Sequence, residues 1–282
     1  MKDTCAAPEP LQAPAGLRIL IRGAGDLATG IAHRLIRSGL CPAMTEIPSP
    51  VAVRRPVCFS EAVYEGTWEV EGVRAQLVTD AGEIDGVRAV AEVPVLVDPD
   101  LHCLSSWSPQ VLVDATLAKR NLGLRRDLAP LVIGVGPGFT AGVDVDRVVE
   151  TNRGHNLGRV YDTGSAEPNT GVPGDTAGFT VERVLRAPCD GRFVTAVEIG
   201  SLVNAGEVLA RVGSAEVRAR ISGIVRGLLR SGTPVSEGLK VGDIDPRGMR
   251  EYCYTISEKA RAVAGGVLEA VLAGAPRRGE GE

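Results

Sequence analysis

The residues with the clearest chemical pattern form a glycine-rich turn near the start of the chain. Gly23, Gly25 and Ala28 follow the spacing G-x-G-x-x-A, directly after the predicted strand 17–22 and directly before a helical pattern. In this context the first glycine permits a tight turn, and the second lets a phosphate group approach the backbone. Free N–H groups at the start of the helix then attract the anion. We therefore predict nucleotide binding at this turn; the alternative is a glycine turn in an α/β sheet that binds nothing.

Two acidic residues bear on the kind of nucleotide that this turn would bind. Dinucleotide sites carry an acidic residue about 20 positions beyond the glycines, where it binds ribose hydroxyls, and Glu46 lies at about that distance from Gly25. Asp26 departs from the pattern, because its charge would repel a phosphate unless the side chain points outward or caps the helix. The predicted cofactor-binding residues are Gly23, Ala24, Gly25, Asp26, Leu27 and Glu46.

Further polar residues follow predicted strands and could complete a cleft. Asp98, Asp114 and the glycine-rich loop 134–138 each come after a short apolar run. In a parallel sheet these positions share one edge with the glycine turn, where α/β folds place ligands. Each acid alone is also a common turn former or helix cap. Thr116 and Lys119 follow Asp114, and Lys119 could serve an anionic ligand.

Other candidate residues give weaker indications. Arg54 and Arg55 could contact a phosphate or a substrate carboxylate, or they could be a solvated surface pair. The catalytic residues stay unknown, because the sequence contains neither a P-loop nor a nucleophile elbow. The three histidines, His33, His102 and His155, lack metal-binding spacing, so no metal site is predicted, while a ligand role for His155 in its Asn- and Gly-rich loop is left open.

The composition argues against several classes of protein. The net charge is −4, so the chain lacks the excess of basic residues that would favour a nucleic-acid partner. The longest uncharged run, residues 128–143, is broken by prolines and glycines and is too short to span a membrane. Six scattered cysteines without CxxC spacing favour a cytoplasmic location. Residues 1–16 lack the apolar segment of a signal peptide, and residues 275–282 are predicted to be a disordered tail.

The pattern of apolar residues predicts the elements that position these side chains. Short apolar runs at residues 93–97, 111–113 and 131–133 are typical of parallel strands covered on both faces. They alternate with helical stretches, which favours a doubly wound α/β sheet. The predicted fold class is α/β: a Rossmann-like nucleotide-binding domain over residues 17–165, followed over residues 166–282 by a small barrel-sandwich-hybrid-like β domain with a C-terminal helix.

An internal repeat underlies the prediction for the second domain. Residues 186–206 recur as residues 218–238 in one gapless register, and each copy places three glycines at turn positions. Two such halves packed face to face resemble the biotinyl and lipoyl carrier fold. Carriers present a modifiable lysine on the turn between the halves, and residues 212–217 contain none. The domain is therefore predicted to bind, support or cover the first one. Beyond it, Ser257 precedes an apolar helical stripe over residues 260–272.

Long motifs distributed over almost the whole chain resemble one family. They comprise GAGDLATGIAHRL (23–35), the stretch 44–66, ETNRGHNLGRV (150–160), NTGVPG (169–174), SGIVRGLL (222–229), KVGDIDPRG (240–248) and the stretch 252–272. Together they are similar to the YqeB family, whose members are accessory proteins of selenium-dependent molybdenum hydroxylase systems. The resemblance implies a role in the maturation of xanthine-dehydrogenase-like enzymes. It also implies a distant similarity in role to XdhC-type chaperones, which handle molybdenum cofactor.

The expected function is a maturation factor for molybdenum hydroxylases that binds a nucleotide or molybdopterin dinucleotide at the glycine turn. Such cofactors carry a pyrophosphate and a ribose, so the same backbone physics applies. The alternatives are an NAD(P)-dependent oxidoreductase and a non-enzymatic protein-binding scaffold. The expected partners are a molybdenum hydroxylase client and the nucleotide, without nucleic acid or membrane, and a homo-oligomer is left open.

Overall fold

The computed structural model describes residues 16–274. The predicted leader, apart from Gly16, and the predicted disordered tail lie outside the described residues. The strands that precede residue 166 are β1 Ile19–Arg22, β2 Ala43–Glu46, β3 Thr67–Val70, β4 Val73–Val78, β5 Val93–Val97, β6 Val111–Asp114, β7 Leu131–Val135, β8 Thr140–Ala141, β9 Arg147–Val149, β10 Val160–Tyr161 and β11 Gly164–Ser165. The helices are α1 Asp26–Arg37, α2 Ala62–Glu65, α3 Ile84–Ala89, α4 Leu104–Trp107 and α5 Glu258–Gly274. Short 3-10 turns lie at Arg55–Val57, Phe59–Glu61, Ala81–Glu83, Arg126–Leu128 and Arg250–Cys253.

Nine of these strands form one mixed sheet, the large sheet, in the order β10-β9-β7-β6-β1-β2-β5-β4-β3. The strands from β9 to β4 are parallel, while β10 and β3 pair antiparallel at the two edges. Ile19, Leu20 and Ile21 of β1 are fully buried, as expected of a central strand covered on both faces. The parallel strands end at one edge, so the glycine turn after β1 lies beside the ends of β2 and β6.

The two faces of the large sheet are covered differently. One face packs against the two long helices, α1 and α5, whose apolar side chains join Ile19 and Ile21 in one core. The other face carries Leu20 and Leu112, which pack with Trp107 of α4 and with loop residues such as Phe139. Within residues 16–274, no helix combines the length and the apolar character that a membrane span needs.

Helix α5 begins after Ser257 and lies close against α1. The Ser257 Oγ accepts a hydrogen bond from the Ala260 N–H at 3.2 Å, which confirms the predicted helix start. A Cβ added to Gly30 of α1 would lie 2.9 Å from the Ala260 Cβ, so the two backbones approach closely at these small residues. The predicted apolar stripe faces the core, and Val263, Val267 and other members of it are fully buried.

The chain between residues 184 and 245 forms the β module, which contains two four-stranded antiparallel sheets. Its strands are β12 Val184–Arg186, β13 Gly191–Thr195, β14 Leu202–Val203, β15 Val208–Val212, β16 Ala215–Arg218, β17 Gly223–Leu228, β18 Pro234–Val235 and β19 Lys240–Asp245. The sheet orders are β12-β19-β17-β14 and β16-β15-β13-β18. The first four strands, β12 to β15, correspond in sequence to the last four, β16 to β19. Exchanging each strand for its counterpart converts the strand order of one sheet into that of the other. Each sheet therefore takes two strands from each half of the repeat.

The backbone of the β module confirms the predicted equivalence of the repeated glycines. Gly191 and Gly223 have φ angles of 153° and 158°, and Gly200 and Gly232 have φ angles of 93° and 91°. Gly206 has a φ of 87°, and its partner Gly238 has a φ of 78°. The repeat in the sequence thus encodes repeated turns, because the left-handed region favours glycine at each of them.

The predicted fold class, a Rossmann-like domain followed by a small barrel-sandwich-like domain and a helix, is wrong. The described chain is mixed α/β with one large nine-stranded sheet and few helices. A doubly wound sheet needs a helix between successive parallel strands, whereas α2 and α4 span four residues each and α3 spans six. Loops and 3-10 turns replace the missing helices. The helix that completes one face, α5, comes from beyond the β module instead.

The segment between β2 and α2 joins the large sheet to the β module. The Leu228 N–H of β17 donates to the Val53 carbonyl at 2.7 Å, and the Arg55 Nε donates to the Leu228 carbonyl at 2.8 Å. Arg230 extends this contact, since its Nη2 lies 2.6 Å from carboxylate oxygens of Glu61 and Glu65. Backbone and ion-pair contacts together place the β module beside the carboxyl ends of the parallel strands.

Candidate functional site

A cleft of about 830 Å³ lies where the large sheet, the β module and the start of α5 meet. Its walls include the glycine turn, the ends of β2 and β6, and residues from β17 and β19. This volume lies in the range of small-molecule and cofactor sites. The cleft is also at the edge of the sheet where the sequence analysis placed a ligand.

The two glycines of the turn have different structural roles. Gly23 has a φ of 92°, and a Cβ there would lie 3.3 Å from the Thr116 Cα. Its N–H donates to the Thr45 carbonyl at 2.8 Å. Gly25 has an ordinary extended backbone, and a Cβ there would meet nothing within 4 Å. Gly23 is therefore required by the turn, whereas Gly25 leaves open space beside the start of α1.

Helix α1 presents free backbone donors at this open space. Its N-cap is Gly25, and no side chain caps the helix. Among the described residues, the N–H groups of Asp26 and Leu27 have no hydrogen-bond acceptor, as is usual for the first turn of a helix. The helix dipole adds partial positive charge at the same point. This end of α1 is therefore suited to an anion.

The charge of Asp26 is neutralised by Arg54. The Arg54 Nη1 lies 3.1 and 3.0 Å from the two carboxylate oxygens of Asp26. Arg54 is 8% exposed, so it is not a solvated surface residue. Arg55 donates to a backbone carbonyl of the β module, as described above. Because Asp26 is held in an ion pair, its repulsion of a nearby phosphate is offset.

Glu46 braces the glycine turn. One oxygen of its carboxylate accepts the Ala24 N–H at 2.8 Å, and the other accepts the Ile47 N–H at 2.8 Å. Burial raises the pKa of Glu46, although these two hydrogen bonds act in the opposite direction. Glu46 also lines the cleft, where a ligand could reach it. Its contact with ribose hydroxyls stays a prediction. Its observed partners are backbone donors of the turn and of the residue that follows it.

Three buried polar atoms near the turn lack a hydrogen-bond partner within the described part of the chain: Thr45 Oγ1, Ser60 Oγ and Arg54 Nε. Thr45 and Ser60 are each 1% exposed, and all three residues line the cleft. The Ser60 N–H donates to the Ala24 carbonyl at 2.9 Å, which fixes Ser60 beside the turn. An unpaired buried polar group costs about 1–3 kcal/mol, so this arrangement is suited to a polar ligand.

Basic side chains outnumber acidic ones in the cleft. Seven basic residues line it: Arg22, Arg54, Arg153, Arg183, Arg226, Lys240 and Lys259. The four acidic residues are Asp26, Glu46, Asp100 and Asp243. Burial lowers the pKa of both Lys240 and Lys259. Arg22, Arg54, Arg153 and Arg183 are paired with carboxylates, so the positive charge that favours an anionic ligand comes mainly from Arg226, Lys240 and Lys259.

The acids predicted beside the turn have structural partners. Asp98 accepts the N–H groups of His102 and Cys103 at 2.9 and 2.8 Å, as a turn former does. Asp114 is fully buried, where it contacts Arg22 at 3.3 Å and accepts the Thr116 hydroxyl at 2.7 Å. Neither acid lines the cleft, although Thr116 does.

The remaining candidates do not gather at the cleft. Lys119 is not among the residues that line it, and the glycines of the loop 134–138 pack against protein atoms. Of the described residues, no three or more His, Cys, Asp or Glu side chains form a group suited to a metal ion. The five described cysteines are free. The structure therefore brings together the glycine turn and Glu46, and adds Thr45, Ser60 and Arg226 to them.

The fold and the cleft define a mixed α/β protein with a cleft, lined by more basic than acidic residues, between a sheet edge and a β module. No family model matches the sequence. The chain is 48% identical over 254 residues to "Uncharacterized protein YqeB" of Escherichia coli strain K12. The matched segment covers 90% of this chain and 47% of that protein. The chain belongs to the YqeB family. It spans about half the length of this relative.

Solved structures with some similarity include aspartoacylase or desuccinylase proteins and an ectoine utilization protein. An aspartoacylase family protein from Mesorhizobium loti has 13% identity and a TM-score of 0.26, with 81% of this chain and 85% of that chain covered. The product-bound ectoine utilization protein EutE from Ruegeria pomeroyi has 13% identity and a TM-score of 0.26, with 82% and 85% covered. A succinylglutamate desuccinylase/aspartoacylase from Rhodobacter sphaeroides has 19% identity and a TM-score of 0.23, with 81% and 85% covered. At these TM-scores the likeness carries no argument about this chain.

Proposed function

We propose that the cleft binds a small ligand with a diphosphate group, a nucleotide or molybdopterin dinucleotide, and that the chain thereby acts in the maturation of molybdenum hydroxylases. The observation that carries the ligand proposal is the set of unpaired buried polar atoms of Thr45, Ser60 and Arg54 around the glycine turn. The maturation role rests on the YqeB resemblance of the sequence. The two parts have separate tests.

The contacts around the turn explain why a diphosphate is the preferred group. A phosphate beside Gly25 would accept N–H groups of Asp26 and Leu27 and the hydroxyls of Thr45 and Ser60. Gly25 leaves the necessary space, because no atom lies within 4 Å of its Cβ position. The excess of basic residues in the cleft supplies charge for a second phosphate.

The ligand part is tested by mass spectrometry of small molecules released from the purified, denatured protein, together with calorimetric titration of the ligand-free protein with inorganic pyrophosphate. We expect a released compound with a diphosphate group and measurable pyrophosphate binding. A pterin dinucleotide supports the maturation role, whereas NADP or NAD supports the oxidoreductase alternative. Release of no such compound, combined with no pyrophosphate binding at millimolar concentration, would exclude the diphosphate proposal.

The maturation part is tested in cells that produce both this protein and a molybdenum hydroxylase. Loss of the protein is expected to lower the molybdenum cofactor content of the purified hydroxylase while leaving the amount of its polypeptide unchanged. Full cofactor content in hydroxylase from the deleted strain would contradict this role. It would leave the ligand proposal to be judged by pyrophosphate binding.

A further inference from the structure

Two buried arginines from different parts of the fold line the cleft and converge on one backbone carbonyl. The Arg54 Nη2 donates to the Tyr252 carbonyl at 3.0 Å, and the Arg226 Nε donates to the same carbonyl at 3.3 Å. Arg54 precedes the 3-10 turns beside the large sheet, whereas Arg226 belongs to β17 of the β module. Both side chains line the cleft. The cleft thus holds one guanidinium from each part of the molecule at a shared contact.

The two terminal nitrogens of Arg226 have no partner among the described residues. Arg226 is 8% exposed, yet among residues 16–274 its two terminal nitrogens, Nη1 and Nη2, have no hydrogen-bond acceptor. Its nearest carboxylate oxygen, in Asp245, lies 3.8 Å from the Arg226 Nε. That carboxylate already binds Arg247, whose Nη2 and Nε lie 2.6 and 2.9 Å from it. Asp245 therefore does not satisfy the outer end of Arg226.

Arg183, which also lines the cleft, has a partner for each of its three guanidinium nitrogens. Its Nε and Nη2 donate to the Gly174 carbonyl at 3.2 and 2.9 Å, and its Nη1 pairs with Asp243. Arg183 has similar burial to Arg226, at 7% exposed. The free donors of Arg226 are thus not a general property of buried arginines that line the cleft.

The acids near Arg226 are shared with other basic residues, since Asp245 pairs with Arg247 and Asp243 pairs with Arg183, and they do not offset the burial of Arg226. Its pKa is lowered, first by burial and then by the positive charge of Arg54, while the nearby acids oppose this shift only in part. The Arg54 Nη1 and Nη2 groups already bind Asp26, Tyr252 and Thr255, so the donors left for an oxyanion between the two guanidinium groups are the Arg54 Nε and the terminal nitrogens of Arg226. Guanidinium groups match the oxygens of phosphate in a two-pronged geometry that an ammonium group does not reproduce.

We propose that Arg226 and Arg54 form a clamp for a phosphoryl group of the cleft ligand, so that the β module contributes directly to ligand binding. This inference rests on the proposed function and deepens it. One phosphate of a diphosphate lies at the glycine turn, and the clamp takes the other. The ligand therefore bridges the large sheet and the β module, and the two parts form one binding site.

The test is calorimetric titration with inorganic pyrophosphate of the full chain and of three variants, each with its thermal unfolding midpoint measured without ligand. The variants are Arg226→Lys, Arg226→Met and the control Arg192→Met. Arg192 is an exposed arginine of the same module whose Nη1 donates to the Gly232 carbonyl at 3.0 Å. The lysine variant keeps the charge and loses the two-pronged geometry. If the methionine variant does not fold, the pyrophosphate affinity of the lysine variant alone tests the clamp.

We expect pyrophosphate to bind the wild type and the Arg192→Met control equally, and to bind Arg226→Lys at least about tenfold more weakly, since a bidentate charged contact is lost. Binding to Arg226→Met should be weaker still. Without ligand, Arg226→Met should unfold at the same temperature as the wild type or higher, because the Tyr252 carbonyl keeps its hydrogen bond from Arg54 and Asp245 keeps its ion pair with Arg247. A residue with a purely structural role would show the reverse, a lower midpoint with unchanged affinity.

Equal affinities of the wild type and both Arg226 variants would overturn the clamp while leaving the proposed diphosphate site intact. Absence of pyrophosphate binding to the wild type would overturn both proposals together. The two failures are therefore distinguishable from a single set of titrations.

Discussion

Gly23 and Gly25 stand two positions apart, yet only one of them faces open space. Gly23 adopts a left-handed backbone against the backbone of residue 116, while Gly25 borders the cleft with a backbone that any residue can adopt. The turn therefore separates a residue needed for folding from a residue that controls access to the helix end. Substitutions at the two positions should have opposite consequences.

Gly25→Val is expected to keep the thermal stability within a few degrees of the wild type while abolishing pyrophosphate binding, because the branched side chain fills the space beside α1. Gly23→Ala is expected to lower the unfolding free energy by more than about 1 kcal/mol, because a Cβ is strained at this φ. Thermal unfolding and calorimetry on both variants check this. Wild-type affinity in Gly25→Val would show that no ligand group approaches there.

Glu46→Ala is expected to lower the unfolding free energy by about 1–3 kcal/mol, since the buried Ala24 N–H loses its acceptor. Glu46→Gln retains one acceptor oxygen at the same place and should lose less. Chemical denaturation of both variants at neutral pH measures the difference. Equal stability of the alanine variant and the wild type would show that the carboxylate does not hold the turn.

At the residue scale, the sequence predicts what is local and misses what is distant. The glycine turn follows from a motif contained within a few residues, and Glu46 follows from a spacing along the chain. Thr45 and Ser60 carry no such pattern, since an isolated hydroxyl has many roles. Arg226 is recognisable only through its contact with Tyr252 and its proximity to Arg54, which no spacing in the sequence predicts.

At the scale of elements, the consecutive glycines of α5 illustrate how packing decides the effect of a substitution. A Cβ on Gly266 would lie 2.1 Å from the Gly158 carbonyl oxygen and 2.8 Å from the Val149 Cγ1. A Cβ on Gly265 would meet nothing within 4 Å. Gly266 thus allows α5 to lie directly on the edge of the large sheet, and Gly265 has no packing role.

Gly265→Ala is expected to raise the unfolding free energy by about 0.5–1 kcal/mol, because alanine loses less backbone entropy in a helix. Gly266→Ala should lower it by about 1–3 kcal/mol through overpacking. The two variants differ by one position and serve as each other's control in thermal unfolding. A stabilised Gly266→Ala variant would contradict the close approach of α5 to Gly158.

The predictions of secondary structure were correct for the buried parallel strands and for the repeated turns, and wrong for the helices between the strands. Apolar runs indicated the parallel strands β5, β6 and β7 because both faces of these strands are buried. The 32-residue register indicated the paired turns of the β module, since glycine is favoured at each positive φ. The helices of a doubly wound sheet were predicted from helical stretches between the strands, and, apart from α1, short helices and 3-10 turns occupy their places. The covering role of α5 depends on contacts with α1 that are distant in sequence.

At the scale of the whole molecule, one turn of the large sheet anchors the last helix. Glu71, between β3 and β4, accepts two hydrogen bonds from the Arg261 guanidinium at 2.7 Å and one from the Ile256 N–H at 2.8 Å. Burial raises the pKa of Glu71, but the hydrogen bonds from Arg261 and Ile256 outweigh it, so the pKa is lowered. This contact joins two parts of the fold that are far apart in the chain.

A lowered folded-state pKa means that the Glu71 contribution is present above the unfolded-state value of 4.5 and is lost as the pH falls through the folded-state pKa. Glu71→Gln is therefore expected to be less stable at pH 7 by about 0.5–1 kcal/mol, a modest value because the pair is partly exposed. The difference from the wild type should shrink below pH 4.5. Chemical denaturation across pH 3–7 measures it, with the exposed Glu69→Gln as control. A difference independent of pH would contradict the role of the charge.

The position of α5 in the chain also has a consequence for biosynthesis. This helix covers β7, β9 and β10 of the large sheet, yet the ribosome makes it only after residues 166–257 have been added. At about 5–20 residues per second, that interval lasts roughly 5–20 seconds. During this time the apolar face that α5 will cover, including Leu131 and Val149, is exposed on the nascent chain. One face of the large sheet therefore lacks its final cover throughout the synthesis of the β module, and its folding is completed only after α5 has left the ribosome.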